Sequence, residues 1–146
     1  MICKDIYIEK YDWMVHCYFA VDDYYTNEIL MMLRYLDCSR DVYDKVSAKL
    51  RKGDKNAGFT YSNKSLRETL LVVGLATSSA EYVNSITHEL RHLCDDISDV
   101  LGISSNGEEV AYLTGDVSGA LADIISLFVC ECPSCSYKRY KNIKYK

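Results

Sequence analysis

Ser78-Ser79-Ala80-Glu81-Tyr82-Val83-Asn84-Ser85-Ile86-Thr87-His88-Glu89-Leu90-Arg91-His92-Leu93-Cys94-Asp95-Asp96-Ile97-Ser98-Asp99-Val100-Leu101-Gly102 carries both ends of a long helix. Ser78 with Glu81 is a Ser-x-x-Glu capping box, which satisfies free N–H groups at a helix start. Gly102 is a stop, because a glycine takes the left-handed conformation that closes a helix at no steric cost. Between them Val83, Ile86, Leu90, Leu93, Ile97 and Leu101 recur at helical spacing and form an apolar stripe. At about 100° per residue, His88 and His92 fall on the side away from that stripe.

The chain before this helix reads as strands and shorter helices. Ile6-Tyr7-Ile8-Glu9 and Trp13 to Val21 are rich in β-branched and aromatic residues, with Lys10-Tyr11-Asp12 between them, which predicts a β-hairpin. Asp22-Asp23 ends it. Thr26 is placed to cap a helix bearing Ile29, Leu30, Leu33 and Leu36. Ser39 is placed to cap a second, with Val42, Val46 and Leu50 inward and Gly53 as its stop. Gly53 to Gly58 is a loop by composition. Thr69 to Leu75 predicts a buried or half-buried strand. After the long helix, Ser105-Asn106-Gly107-Glu108 starts a final helix reaching about Cys130, closed by Pro133. Its stripe is Val110, Leu113, Val117, Leu121, Ile124 and Phe128. The order predicts an α+β fold: an N-terminal β-hairpin and small sheet packed on helices, with a central helix followed by a C-terminal one.

Composition narrows the function classes. At 146 residues, with 49% hydrophobic and 26% charged side chains, the chain suits one domain with one core, 1–146. A net charge of −4 gives no basic face for nucleic acid. The basic tail, about 136–146, reads as a solvated terminus. No secretory signal is visible, and the longest apolar stretch, Leu121 to Cys130, is too short to span a bilayer. The expectation is a cytoplasmic protein with no membrane partner. Its seven cysteines are then expected to be reduced thiols. Cys3, Cys17, Cys38 and Cys94 sit among apolar residues and read as core. Cys130, Cys132 and Cys135, around Cys132-Pro133-Ser134-Cys135, are candidates for a second zinc or a redox pair, but the expected reading is an ordinary helix end or an occasional disulfide. Three cysteines fall one short of a structural zinc set.

His88-Glu89-Leu90-Arg91-His92 carries the chemistry. Two histidines four apart on one helix present their imidazoles one turn apart, so both reach one ion. Catalytic zinc takes three protein ligands and keeps an open position, and it lowers the pKa of water bound there. A carboxylate beside the first histidine, Glu89, is placed to take and return that water's proton. Iron, manganese or cobalt also accept such ligands, although two imidazoles and a carboxylate suit zinc. The third ligand is expected at the start of the next helix, Glu108 first and Glu109 second. Both also serve as ordinary N-terminal helix acids. Tyr112 is a candidate donor to an oxyanion. Asp99 and Asp116, with Asp95 and Asp96, are candidates to orient a ligand histidine through its other ring nitrogen.

The His88–His92 motif followed by Gly107-Glu108-Glu109-Val110-Ala111-Tyr112-Leu113 resembles the zincin metallopeptidases. It is most similar to short peptidase-like proteins of phages and of prophages in gut bacteria. Tyr61-Ser62-Asn63 and Leu71-Val72-Val73-Gly74 also look like that group's strand region, so the resemblance covers roughly Asn56 to Leu127. It implies a zincin-like fold, with zinc on His88 and His92, Glu89 as base and Glu108 as third ligand. A strand before the active-site helix would line the cleft and pair with an extended peptide or protein substrate, and Thr69 to Leu75 would take that place. The chain departs from better-known families. It has no third histidine at metzincin spacing, and Tyr112 stands where the thermolysin type has Asp. Two other functions stay open: a non-catalytic zincin-fold module that binds a protein partner, and a structural protein of a phage or other mobile element. Oligomeric state is not legible.

Overall fold

The computed structural model describes residues 1–52 and 58–144. The expected stop at Gly53, and the loop after it up to Ala57, lie outside the described residues. The order is β1 (Ile2–Ile8), β2 (Trp13–Val21), α1 (Thr26–Tyr35), α2 (Arg40–Arg51), β3 (Phe59–Asn63), β4 (Glu68–Gly74), α3 (Ser79–Leu101), α4 (Glu108–Ala120), α5 (Ala122–Val129) and α6 (Pro133–Lys144). The fold is α+β, with a four-stranded mixed sheet in the order β1-β2-β4-β3.

The predicted hairpin forms. β1 and β2 pair antiparallel from Ile2–Phe19 to Ile8–Trp13, joined by a short 3-10 turn that ends at left-handed Asp12. β4 then lies parallel to β2 and antiparallel to β3, and so occupies the interior of the sheet. That position explains its unbroken apolar run, since a strand covered on both faces has no solvent side to make polar. Leu71 and Val73 join Val15, Cys17 and Phe19 in a core with α3, α4 and α5. Leu70 and Val72 point the other way, into a core with α1 and α2.

α3 begins and ends where its sequence signals stand. Ser78 Oγ accepts the Glu81 N–H at 3.1 Å, and the Glu81 carboxylate accepts from Thr77 N–H and hydroxyl. Gly102 closes the helix at φ +68°. The buried stripe differs at one turn: Tyr82 is buried and Val83 is exposed.

The expected final helix is two helices. α4 and α5 meet at a 67° bend centred on Leu121. Leu121 is fully buried, so the chain turns to keep it in the core. The Ala120 carbonyl accepts from Lys4 Nζ at 2.7 Å, and Asp123 pairs with the same ammonium at 2.6 Å, so β1 supplies partners where the helix ladder breaks. All six predicted stripe residues of this segment are buried. Pro133 does not close the chain's helical part. It opens α6, at a first-turn position where its missing N–H costs nothing. The tail expected to be a solvated terminus therefore continues as helix through Lys144. Among the described residues no single helix is long and apolar enough to cross a membrane.

Candidate functional site

α3 lies across the sheet with its inner side on β4 and one flank beside β3. Alternation along β3 and its register with β4 put Thr60 and Ser62 on the same face as Leu71 and Thr69, toward α3. Thr60 Oγ1 lies 2.8 Å from Glu89 Oε2 and 3.1 Å from the Glu89 carbonyl oxygen, so the hydroxyl ties the helix to the strand. Glu89 is only 4% exposed. Its second carboxylate oxygen sits against Gly58, where an added Cβ would come within 2.8 Å of Glu89 Oε1. Lys49 Nζ holds the Gly58 carbonyl at 3.0 Å and so fixes the backbone beside that carboxylate.

His88 and His92 project from the exposed side of the same turns. Their Nε2 atoms converge to 3.0 Å, with the rings nearly perpendicular. Together with Gly58, Phe59, Thr60, Glu89 and Asp96 they line a cavity of about 350 Å³ between α3 and β3. A second hollow of about 450 Å³ shares Gly58, His88 and Glu89 and runs toward Lys49 and Glu81.

Two nitrogens bound to one zinc at 2.0–2.1 Å in tetrahedral geometry stand roughly 3.3 Å apart. The histidine pair, at 3.0 Å, is close to that spacing. The third donor is a different matter. α4 does fold back beside α3, but on its other flank, where Thr114 Oγ1 lies 3.3 Å from Cys94 Sγ. Glu109 is turned to the hairpin connection, accepting from Lys10 Nζ at 3.0 Å and Tyr11 hydroxyl at 3.1 Å. Those two bonds hold its carboxyl below the usual carboxylate range. Glu108 is exposed on the outer side of α4, and so are Tyr112, at 68%, and Asp116. None of these four lines the cavity. The helix wheel of α4 places Glu108, Tyr112 and Asp116 on one face, but the flank on which α4 packs is set by the two cores, which a wheel does not contain.

Asp95, Asp99 and the third histidine are engaged elsewhere. Asp99 pairs with Lys64 at 2.6 Å, and this bond holds its carboxyl below the ordinary range. Lys64 reaches Asp96 at 3.6 Å as well. Of the four candidate acids, Asp96 is the one that borders the cavity. Asp95 pairs with Arg91 along the helix surface. His16 lies on the opposite face of the sheet, within 3.1 Å of Asp5 and 3.3 Å of Glu68, edge-on to Tyr35.

One expectation about the cleft is corrected. Thr69 to Leu75 was expected to line it, but β4 is paired on both sides and cannot accept a further strand. β3 takes that place, as an edge strand beside Glu89. Thr60 carries little signal in the sequence because a short, mixed-polarity edge strand has little apolar patterning, and Gly58 reads there only as the end of a loop. The alternation of Thr60 with Ser62 was the available signal.

At the junction of α5 and α6, Cys130, Cys132 and Cys135 form the one group of three His, Cys, Asp or Glu donors, among the described residues, whose ligand atoms lie within 4.8 Å of one another. These residues can hold a metal ion. Cys132 caps the start of α6 and accepts the Cys135 N–H at 3.5 Å. That backbone bond, with help from the neighbouring thiols, draws the Cys132 thiol down to about 7, while the side-chain contacts with Cys132 and Cys130 push Cys135 up to about 11. Cys17 and Cys94 are buried, as expected, whereas Cys3 is exposed.

Replacing Gly58 by alanine tests how closely Glu89 is held. The new methyl would meet the Glu89 carboxylate and displace it. If Glu89 acts on substrate, kcat/KM is expected to fall on the order of tenfold to 10²-fold with little change in melting temperature. An unchanged rate would mean that the position of Glu89 does not matter to turnover. No known family model, curated protein or solved structure matches this chain.

Proposed function

We propose that this protein is a zinc-dependent hydrolase acting on peptide bonds. The observation that carries the proposal is the convergence of His88 and His92 at 3.0 Å beside the buried carboxylate of Glu89, in a cavity bordered by an edge strand. His88 and His92 would hold the ion. Zinc there would supply Lewis-acid polarisation of the scissile carbonyl and a more acidic water. Glu89 would take the proton of the attacking water and return it to the leaving amine. Thr60 and Gly58 would keep the Glu89 carboxylate aimed into the cavity. β3 pairs only with β4 among the described strands, so its outer edge offers backbone N–H and C=O groups to an extended peptide.

The ligand set favours a second reading alongside the first. Two imidazoles are one protein ligand short of a catalytic zinc site, and among the described residues no third His, Cys, Asp or Glu ligand atom lies within 4.8 Å of both. A zincin-like module that binds a protein partner along β3, without turnover, needs no third ligand.

The test is metal content in a chain whose Cys130, Cys132 and Cys135 are all serine, so that only the histidine site is counted. About one zinc per chain, lost on adding His88→Ala and His92→Ala, is the expected result. No zinc in that background, even after incubation with zinc salt, would end the hydrolase reading and leave the binding module.

A further inference from the structure

The cysteine cluster lies at the junction of α5 and α6, remote in sequence from the histidine motif. Cys130 terminates α5, Cys132 precedes α6, and Cys135 stands in its first turn. The Cys-x-Cys-x-x-Cys spacing brings all three sulfur atoms within 4.8 Å of one another across a three-residue link between the helices. Three thiolates around one ion at about 2.3 Å stand roughly 3.8 Å apart, so a shift of an ångström or less closes the set. Cys132 is exposed, and Cys130 and Cys135 are half-buried, which leaves the sulfur atoms open to an incoming ion.

The geometry points to a second site, independent of the histidine pair, in which Cys130, Cys132 and Cys135 hold one thiophilic d10 cation such as Zn(II), Cd(II) or Cu(I). Soft sulfur donors select this class over magnesium, calcium or manganese. A trigonal ion is satisfied by the three sulfurs, and a tetrahedral one takes its fourth ligand from solvent. A Cys132–Cys135 disulfide would use two of the three sulfurs and leave no role for Cys130, so the three-sulfur arrangement favours the cation. The ion's structural effect follows from where it sits. Arg139 donates to the Phe128 carbonyl at 3.0 Å and so ties α6 to α5. A three-sulfur knot at the junction would fix the direction in which α6 leaves the domain.

The experiment is a titration of the fully reduced His88→Ala/His92→Ala chain with cadmium chloride, read by thiolate-to-metal charge-transfer absorption. The expected result is saturation at about one cadmium per chain, with an intensity proportional to three thiolates. Cys130→Ser should cut that intensity by about a third and weaken binding, and the triple serine variant should abolish it, with unchanged circular dichroism in both. No band in the reduced chain would overturn the site. So would a band that persists in the triple variant, which would place cadmium on other thiols. A band unchanged by Cys130→Ser would reduce it to a two-cysteine pair. Because the histidines are absent throughout, failure here says nothing about the hydrolase proposal.

Discussion

Glu89→Gln is expected to lower peptide-bond hydrolysis by about 10²–10⁴-fold, the usual contribution of a positioned general base. Zinc content should stay the same. The substitution keeps the shape of the side chain, and an amide oxygen still accepts from Thr60, whose hydroxyl lies 2.8 Å from Glu89 Oε2. What the amide cannot do is accept a proton from water. The fall should therefore appear in kcat with KM little changed, since the bond is made in the transition state rather than on binding. A mixed peptide library read by mass spectrometry supplies the assay, with kcat then measured on the best-cleaved member. Equal turnover in the wild type and Glu89→Gln would remove Glu89 from the mechanism. Retained binding of a partner protein, with no turnover in either chain, would favour the non-catalytic module.

Much of the fold was legible because its signals are local. The α3 boundaries rest on Ser78 and Gly102, and the structure has both as caps. The β1–β2 hairpin rests on alternating aromatic and β-branched residues, and it forms in the register that places Val15, Cys17 and Phe19 inward. The bend at Leu121 was not legible. Nothing local breaks the helix there, and its partners, chiefly Lys4, lie 116 residues away along the chain. Pro133 was misread for a related reason: proline is tolerated at a helix start as well as just beyond a helix end.

The same division runs through the site. His88, Glu89 and His92 share one helix, so their spacing alone brings the imidazoles together. Residues contributed by other elements depended on topology. β3 joins the sheet beyond β4, which moves the edge from the apolar strand to the polar one and brings Thr60 to Glu89. α4 packs on the Cys94 flank of α3, which carries Glu108 and Glu109 away from the histidines. Both placements follow from how two apolar cores are shared across one sheet, and that information is distributed over the whole chain.

Trp13→Ala is expected to destabilise the fold by about 3–5 kcal/mol, a large share of the roughly 5–15 kcal/mol available to a domain. Trp13 is fully buried at the start of β2, in the core shared with α3, α4 and α5. Its indole N–H donates to Thr69 Oγ1 at 2.8 Å, and Thr69 lies 2.8 Å from Ser62 Oγ on β3. Alanine therefore loses the ring's burial, leaves a cavity, and removes one partner from a buried hydroxyl. Trp13→Phe separates these effects. It keeps most of the apolar volume and drops the hydrogen bond, so a cost of about 1–3 kcal/mol is expected. Urea unfolding followed by circular dichroism is the measurement, because Trp13 is the chain's single tryptophan and its fluorescence disappears with it. The midpoint should fall with m unchanged. The chain Trp13–Thr69–Ser62 also ties β3 into the sheet two residues from Thr60, the residue that holds Glu89. Trp13→Phe should accordingly increase hydrogen exchange along β3 before it affects α1 or α2, whose core lies on the other face of the sheet. Uniform loss of protection across both cores would show instead that β3 is held by the sheet as a whole and not through this link.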